Sequence, residues 1–188
     1  MDKTIFTLFL FVATCAGFLQ ELTLYHGPDC TAAEMTFRTK ESNLSTWEWQ
    51  HFLPAVQSYR AHGWWFFYSM TGFDLPYVEN SGYRVTPTCI NSTVPQKTNS
   101  LRYAGPAETD TPALVAYDGR NTERTELIFT TDLAHNFGFL ADYAIATGNS
   151  NWTLYYYADF SGNFTCLSGR DGPVGSEIAF RSAIKGCN

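Results

Sequence analysis

From Trp64 onward the chain is a succession of short β-forming runs, and no stretch between them is long enough to be the crossover helix of a parallel sheet. The runs are Trp64 to Met70, Tyr83 to Val94, Ser100 to Ala104, Ala113 to Tyr117, Glu126 to Thr130, Phe137 to Thr147, Trp152 to Ala158 and Asn163 to Ser168. Pro95, Gly105-Pro106, Asp118-Gly119, Gly148-Asn149-Ser150 and Ser161-Gly162 mark reversals between them. About eight strands at meander spacing predict an all-β fold, an eight-stranded antiparallel up-and-down barrel, because closing a sheet on itself removes its exposed edges. Ser45 and Glu48 form a capping box that opens a short N-terminal helix, and Pro54 begins a further helical turn. Ile178, Ala179, Ala183 and Ile184 recur at roughly helical intervals within Gly175 to Cys187, which predicts a short C-terminal helix on the outer wall. No internal repeat is visible.

Residues 1–17 have the pattern of a secretory signal peptide: a charged start, the apolar run Ile5 to Val12, then small residues up to Gly17. Residues 18–188 are then one domain by length, with no further apolar run that could span a membrane, and a soluble secreted protein is expected. Cys15 leaves with the signal, so Cys30, Cys89, Cys166 and Cys187 remain, an even set in an oxidising compartment. Two disulfides follow, and three pairings are open. One of them, joining Cys89 to Cys187, would close about a hundred residues and stabilise by ~4–5 kcal/mol in the chain-entropy model. Sequons at Asn43, Asn91, Asn151 and Asn163 predict a glycosylated surface. The formal charge of −6 and the lack of any Lys/Arg cluster argue against nucleic acid and anionic membrane as partners.

Three segments resemble the lipocalin family. Val56-Gln-Ser-Tyr-Arg-Ala-His-Gly63-Trp64-Trp65 is similar to that family's helical turn leading into Gly-x-Trp. Ala146-Thr-Gly-Asn-Ser-Asn-Trp-Thr-Leu-Tyr-Tyr is similar to its Thr-Asp-Tyr turn, although Gly148-Asn149 stands where Asp-Tyr is usual. Cys166-Leu-Ser-Gly-Arg170-Asp is similar to its late-strand arginine. The departure at Gly148-Asn149 implies a divergent subfamily, and the C-terminal cysteines are similar in placement to those of lipocalins secreted by blood-feeding arthropods. The resemblance implies that Gly63, Trp65 and Arg170 are structural, the Arg170 guanidinium covering the Trp65 indole at a sealed barrel floor.

In such a barrel strand residues alternate between cavity and exterior. If Trp65 points inward so does Phe67, and the family register puts Tyr155 and Tyr157 inside with Phe164 opposite. The same register turns Asp142 inward, where a carboxylate among rings would suit an amine. The alternative leaves Asp142 in water and makes Phe139, Tyr143 and Ile145 the inward set. His26, His51, His62 and His135 are scattered, no Gly-x-Ser-x-Gly elbow or phosphate-cradling loop occurs, and no spacing suggests a metal. Neither catalysis nor a cofactor is expected. The function expected is transport or sequestration of a small hydrophobic, amphipathic or amine ligand in the barrel cavity by a monomer or weak dimer. The alternative is a secreted protein-interaction module, an inhibitor or host-interaction protein, whose barrel interior is filled by rings.

Overall fold

The computed structural model describes residues 17–169 and 172–187, apart from the side chains at 77, 78 and 121. The signal peptide, bar Gly17, and Arg170 lie outside the described residues. Within them the chain is all-β, and it forms four separate sheets rather than one closed barrel.

The first sheet holds β1 (Glu21–Tyr25), β2 (Glu34–Phe37), β3 (Ser58–Gly63) and β6 (Arg84–Asn91) in the order β2-β1-β3-β6. The second holds β4 (Trp65–Tyr68), β5 (Tyr77–Asn80) and β7 (Ser100–Tyr103) in the order β5-β4-β7, with Glu41 bridging to Leu101 on its open side. The third is β14-β11-β8-β9, built from β8 (Ala113–Tyr117), β9 (Glu126–Phe129), β11 (Ala141–Thr147) and β14 (Val174–Phe180). The fourth is β10-β15-β12-β13, built from β10 (Leu133–Ala134), β12 (Asn151–Tyr155), β13 (Phe164–Ser168) and β15 (Ser182–Lys185). In each case a hairpin and the last pass of a four-pass unit share a sheet, and the third pass crosses to the facing one: the Glu41 segment, β6, β10 and β14. These are four Greek keys, so the chain does repeat in space.

The repeat is sharpest in its hairpins. The β1–β2, β4–β5, β8–β9 and β12–β13 connections are loops 26–33, 69–76, 118–125 and 156–163, all of one length. The fifth residue of each is left-handed: Cys30 (φ 57°), Phe73 (60°), Thr122 (65°) and Phe160 (61°). None is glycine, so composition hides the signature.

Side-chain alternation explains why the sheets stack in series. Trp65, Phe67, Leu101 and Tyr103 pack against Leu22, Leu24, Tyr59 and Ala61 of the first sheet. Their neighbours Phe66 and Tyr68 point the other way, onto Val115, Tyr117 and Ile145 of the third sheet. Leu114, Ala116, Ala144 and Ala146 in turn face Trp152, Leu154 and Ala183 of the fourth. The middle sheets are therefore buried on both faces, which is what the unbroken runs Trp-Phe-Phe-Tyr and Ala-Leu-Val-Ala-Tyr encode. A barrel wall would have put one face of each run in water.

Other expectations are corrected at the ends of the chain. Gly175 to Cys187 is two strands, not a helix: Ile178 and Phe180, two apart, both reach the core, and Arg181 separates β14 from β15. The N-terminal helix exists as α1 (Trp47–Phe52), capped at Thr46 rather than Ser45, and a 3₁₀ turn at Leu53–Ala55 carries Pro54. The region before it, polar in sequence, contributes β1 and β2. The disulfides are Cys30–Cys89, pinning the first hairpin to β6, and Cys166–Cys187, pinning β13 to the chain end; Cys89 does not meet Cys187.

Candidate binding cleft between the two sheet pairs

Phe66 and Tyr68 face the junction, and so does the residue opposite Phe66 on β7, Arg102. It is 1% exposed. Its guanidinium lies 4.6 Å from the Phe73 ring centre, 4.9 Å from that of Tyr117 and 5.4 Å from that of Tyr68. Nη1 donates to the Arg124 carbonyl at 2.9 Å, Nη2 to the Thr122 carbonyl, and Nε to the Tyr68 hydroxyl at 3.2 Å. Both carbonyls belong to the β8–β9 hairpin, so one side chain of the first half is bonded into the second. The Arg124 amide returns a bond to the Phe73 carbonyl at 2.9 Å.

A second ionic contact spans the same junction. Lys40 Nζ donates to Glu126 Oε2 and, at 2.9 Å, to the Gly105 carbonyl, and Tyr117 donates to Glu126 Oε1 at 2.8 Å. Burial lowers the Lys40 pKa, Glu126 working against that shift. Burial raises the pKa of Tyr68, Tyr103, Tyr117 and Tyr143 above the ordinary 10.0. The unfolded chain thus loses tyrosine protons above about pH 10 that the native chain keeps, and their contribution, complete below pH 10, is lost as pH rises further. Lys40 acts oppositely, since the unfolded chain holds its proton up to 10.5 while the native one releases it earlier, so stability gains as pH approaches that value. Urea midpoints should fall between pH 10 and 11.5, with the phenolate absorbance of these four buried tyrosines appearing only as the protein unfolds.

Between the β4–β5 and β8–β9 hairpins opens a cleft of about 520 Å³ lined by Thr71, Gly72, Phe73, Asp74, Arg102, Arg124, Thr125 and Glu126. Arg102 has five N–H donors, and its three hydrogen bonds leave two without an acceptor among the described residues. No carboxylate pairs with it there: Glu126 is engaged by Lys40 and Tyr117, and Asp74 lies 3.7 Å from Arg124. Within the lining, Arg102 and Arg124 balance Asp74 and Glu126; Lys40, bonded to Glu126 from outside the lining, adds one positive charge beside the cleft, within a chain of net charge −6. The left-handed Phe73, Thr122 and Arg124 belong to the hairpin geometry. A second depression, about 800 Å³, is lined by Pro28, Gln57, Asn91, Ser92, Thr93 and Gln96 and has no charged side chain.

The residues expected to share a cavity are spread over the molecule. Phe67 is in the first core, 5.2 Å from the Tyr59 ring. Asp142 is half-buried at a bulge in β11, where the register to β14 shifts between Ala141 and Tyr143. That bulge separates the faces of its neighbours: Tyr143 and Ile145 turn to the junction, Phe139 to the last core. Tyr155 and Phe164 are cross-strand partners 6.0 Å apart on the fourth sheet, Phe164 being 63% exposed, and Tyr157 is exposed in the adjoining loop. An Arg-over-ring contact of the kind expected of Arg170 and Trp65 is made by Arg102, Arg170 itself lying outside the described residues. Trp65 donates from Nε1 to the His62 carbonyl at 3.2 Å and meets Tyr103 edge-on at 5.1 Å. Gly63, at φ 100°, is where the chain leaves the first sheet for the second, and a Cβ there would stand 2.4 Å from Gln20 Oε1. The one sequence signal for Arg102 is a lone charge between Leu101 and Tyr103 in an otherwise apolar strand.

His26 and His51 bond backbone carbonyls, His62 stacks on Phe18, and His135 meets Phe160 edge-on. Among the described residues no group of three or more His, Cys, Asp or Glu side chains could hold a metal ion, and no helix is long and apolar enough to cross a membrane. Asn43, Asn91 and Asn163 are exposed and Asn151 is half-buried.

This arrangement of paired Greek keys is the βγ-crystallin fold. The structure superposes on the atomic-resolution structure of geodin, a βγ-crystallin from Geodia cydonium, with a TM-score of 0.60 and 16% identity, covering 90% of this chain and 100% of that one. At that identity the likeness shows the fold alone, and it overturns the lipocalin resemblance and the closed barrel expected from it. Protein S, in its NMR-derived structure with calcium, matches over 91% of this chain and 99% of that one at 12% identity, but its TM-score of 0.29 is too low to bear on this chain. No family model matches the chain, and no curated protein matches it.

Proposed function

We propose that this is a secreted, non-catalytic binding module that takes a small anionic group, a carboxylate or phosphate, in the cleft between its two halves. The observation that carries the reading is Arg102: a buried cation that, among the described residues, has two donors without an acceptor and no paired carboxylate, with an opening to solvent beside it. A planar guanidinium bonds a carboxylate or phosphate through paired N–H groups, and Arg124 adds a second, exposed positive charge at the rim. The ring of Phe73 offers an apolar contact to the body of an organic anion. Secretion is supported by the two disulfides, which fit an oxidising compartment, and by the N-terminal signal pattern.

Thermal-shift titrations with benzoate and with inorganic phosphate, at constant ionic strength, test the reading. At least one should raise Tm, and Arg124→Ala should weaken its binding about tenfold, the loss of one charge-assisted contact. Equal response to chloride, or no effect of Arg124→Ala, would rule the cleft out. A larger response to benzoate assigns organic carboxylates, the reverse assigns phosphate.

A further inference from the structure

We infer that Asn163 carries an N-linked glycan whose first sugar is seated on the ring of Tyr156, so that the exposed aromatic tip of the β12–β13 hairpin is covered by the chain's own carbohydrate. Asn163-Phe164-Thr165 is a sequon at the end of an eight-residue loop, and Asn163 is exposed. The other three sequon asparagines each make a side-chain hydrogen bond, Asn91 alone through its amide nitrogen as well as its oxygen. Asn43 Oδ1 accepts from Ser45, Asn91 exchanges two bonds with Asp29, and Asn151 accepts from Ser168 within β12. The Asn163 side chain makes no hydrogen bond to a described residue, so a glycan attached there breaks none of the fold's own side-chain bonds.

The surroundings of Asn163 are aromatic. Tyr156 donates its backbone N–H to the Asn163 carbonyl at 3.0 Å, one step beyond the Tyr155–Phe164 pair. Directly opposite residues of an antiparallel pair project from the same face, with Cβ atoms about 4.5–5.5 Å apart. Tyr156 is 45% exposed and Tyr157 55%, their rings meeting edge-on at 5.2 Å. The Tyr157 ring lies over Gly162, where a Cβ would stand 2.6 Å from it. Two half-exposed rings therefore flank the attachment point, while Phe164 sits on the opposite face with Tyr155. A pyranose presents an apolar face of C–H bonds, and laying that face on a tyrosine removes apolar surface of both from water.

The modification needs passage through the secretory pathway, where a lipid-diphosphate-linked oligosaccharide is the donor. The Asn163 amide nitrogen forms the new bond to sugar C1, the C1–oxygen bond to the diphosphate breaks, the lipid diphosphate leaves with that electron pair, and one amide proton is lost to a base.

The test is a two-by-two set expressed in an animal-cell host: the full chain, Asn163→Gln, Tyr156→Ala and the double variant, each checked for occupancy by peptide mass spectrometry. Asn163 should be occupied. Asn163→Gln should lower Tm by about 2–4 °C, the shift that about 1 kcal/mol produces in a chain of this size. Tyr156→Ala should cost a similar amount when the glycan is present and much less in the Asn163→Gln background, the non-additivity expected of groups in contact. Trimming the glycan to its first N-acetylglucosamine should preserve the effect and leave that sugar's protons ring-current shifted. An unoccupied Asn163, additive Tm changes, or unshifted sugar protons would overturn the inference, and none of these outcomes bears on the anion cleft.

Discussion

Arg102→Met lowers the unfolding free energy by about 3–5 kcal/mol, the largest loss expected from any single surface-remote substitution at the junction. Methionine fills much of the space but donates nothing, so the Thr122 and Arg124 carbonyls and the Tyr68 hydroxyl lose a partner in a buried setting. Each such loss costs about 1–3 kcal/mol, and the attraction of the cation to three rings, worth up to about 2 kcal/mol when desolvated, goes with it. Relief of burying a charge offsets part of this. Because two of the three lost bonds run from β7 to the β8–β9 hairpin, urea unfolding of the variant should separate into two transitions, one for each sheet pair. A variant within 1 kcal/mol of the parent and still unfolding in one step would mean that Arg102 does not hold the halves together.

Replacing both Cys30 and Cys89 by serine costs about 4 kcal/mol, and the same change at Cys166 and Cys187 about 3 kcal/mol, by the loop-length dependence of chain entropy. The sequence separations behind these values are 59 and 21. The first bridge also ties the β1–β2 hairpin to β6, the strand that the second Greek key lends to the first sheet, so its loss should expose the first core before the last. Denaturant midpoints of the two double variants check the ranking. Equal losses, or a larger loss at Cys166–Cys187, would show that local strain and not loop closure sets the contribution.

The strands after Trp64 were legible because β-forming runs and turn residues alternate there, and Ala113–Tyr117 is recovered to the residue. Their assembly was not. Eight strands with reversals fit a meander barrel as well as crossed Greek keys, since exchange of the third pass between sheets leaves no mark in local pattern. One clue pointed the right way: Trp65–Tyr68 and Ala113–Tyr117 have no polar face, and a strand with two apolar faces needs a neighbour on each side. The hairpin signature was hidden because Cys30, Phe73, Thr122 and Phe160 occupy left-handed positions that glycine usually marks. β1 was missed for a different reason, its five residues alternating within a segment otherwise full of turns. Asp142 could not be assigned a face because a bulge breaks the alternation there. As for the cleft, only the lone charge of Arg102 in an apolar strand foreshadowed it. Its ring partners come from β4, β8 and the β4–β5 loop and meet only through the stacking of the second sheet on the third.

The central claim is that the junction built on Arg102 is both the seam of the fold and its binding site. The measurement that tests it most directly is a ¹H–¹⁵N correlation titration that follows the Arg102 side-chain Nε–H as benzoate or inorganic phosphate is added. The account predicts a slowly exchanging Nε–H signal, protected by burial and by Tyr68, which shifts on titration together with the amides of Phe73, Arg124 and Thr125. An Nε–H that exchanges freely with solvent, or anion-induced shifts that fall elsewhere and leave these residues unmoved, would contradict it.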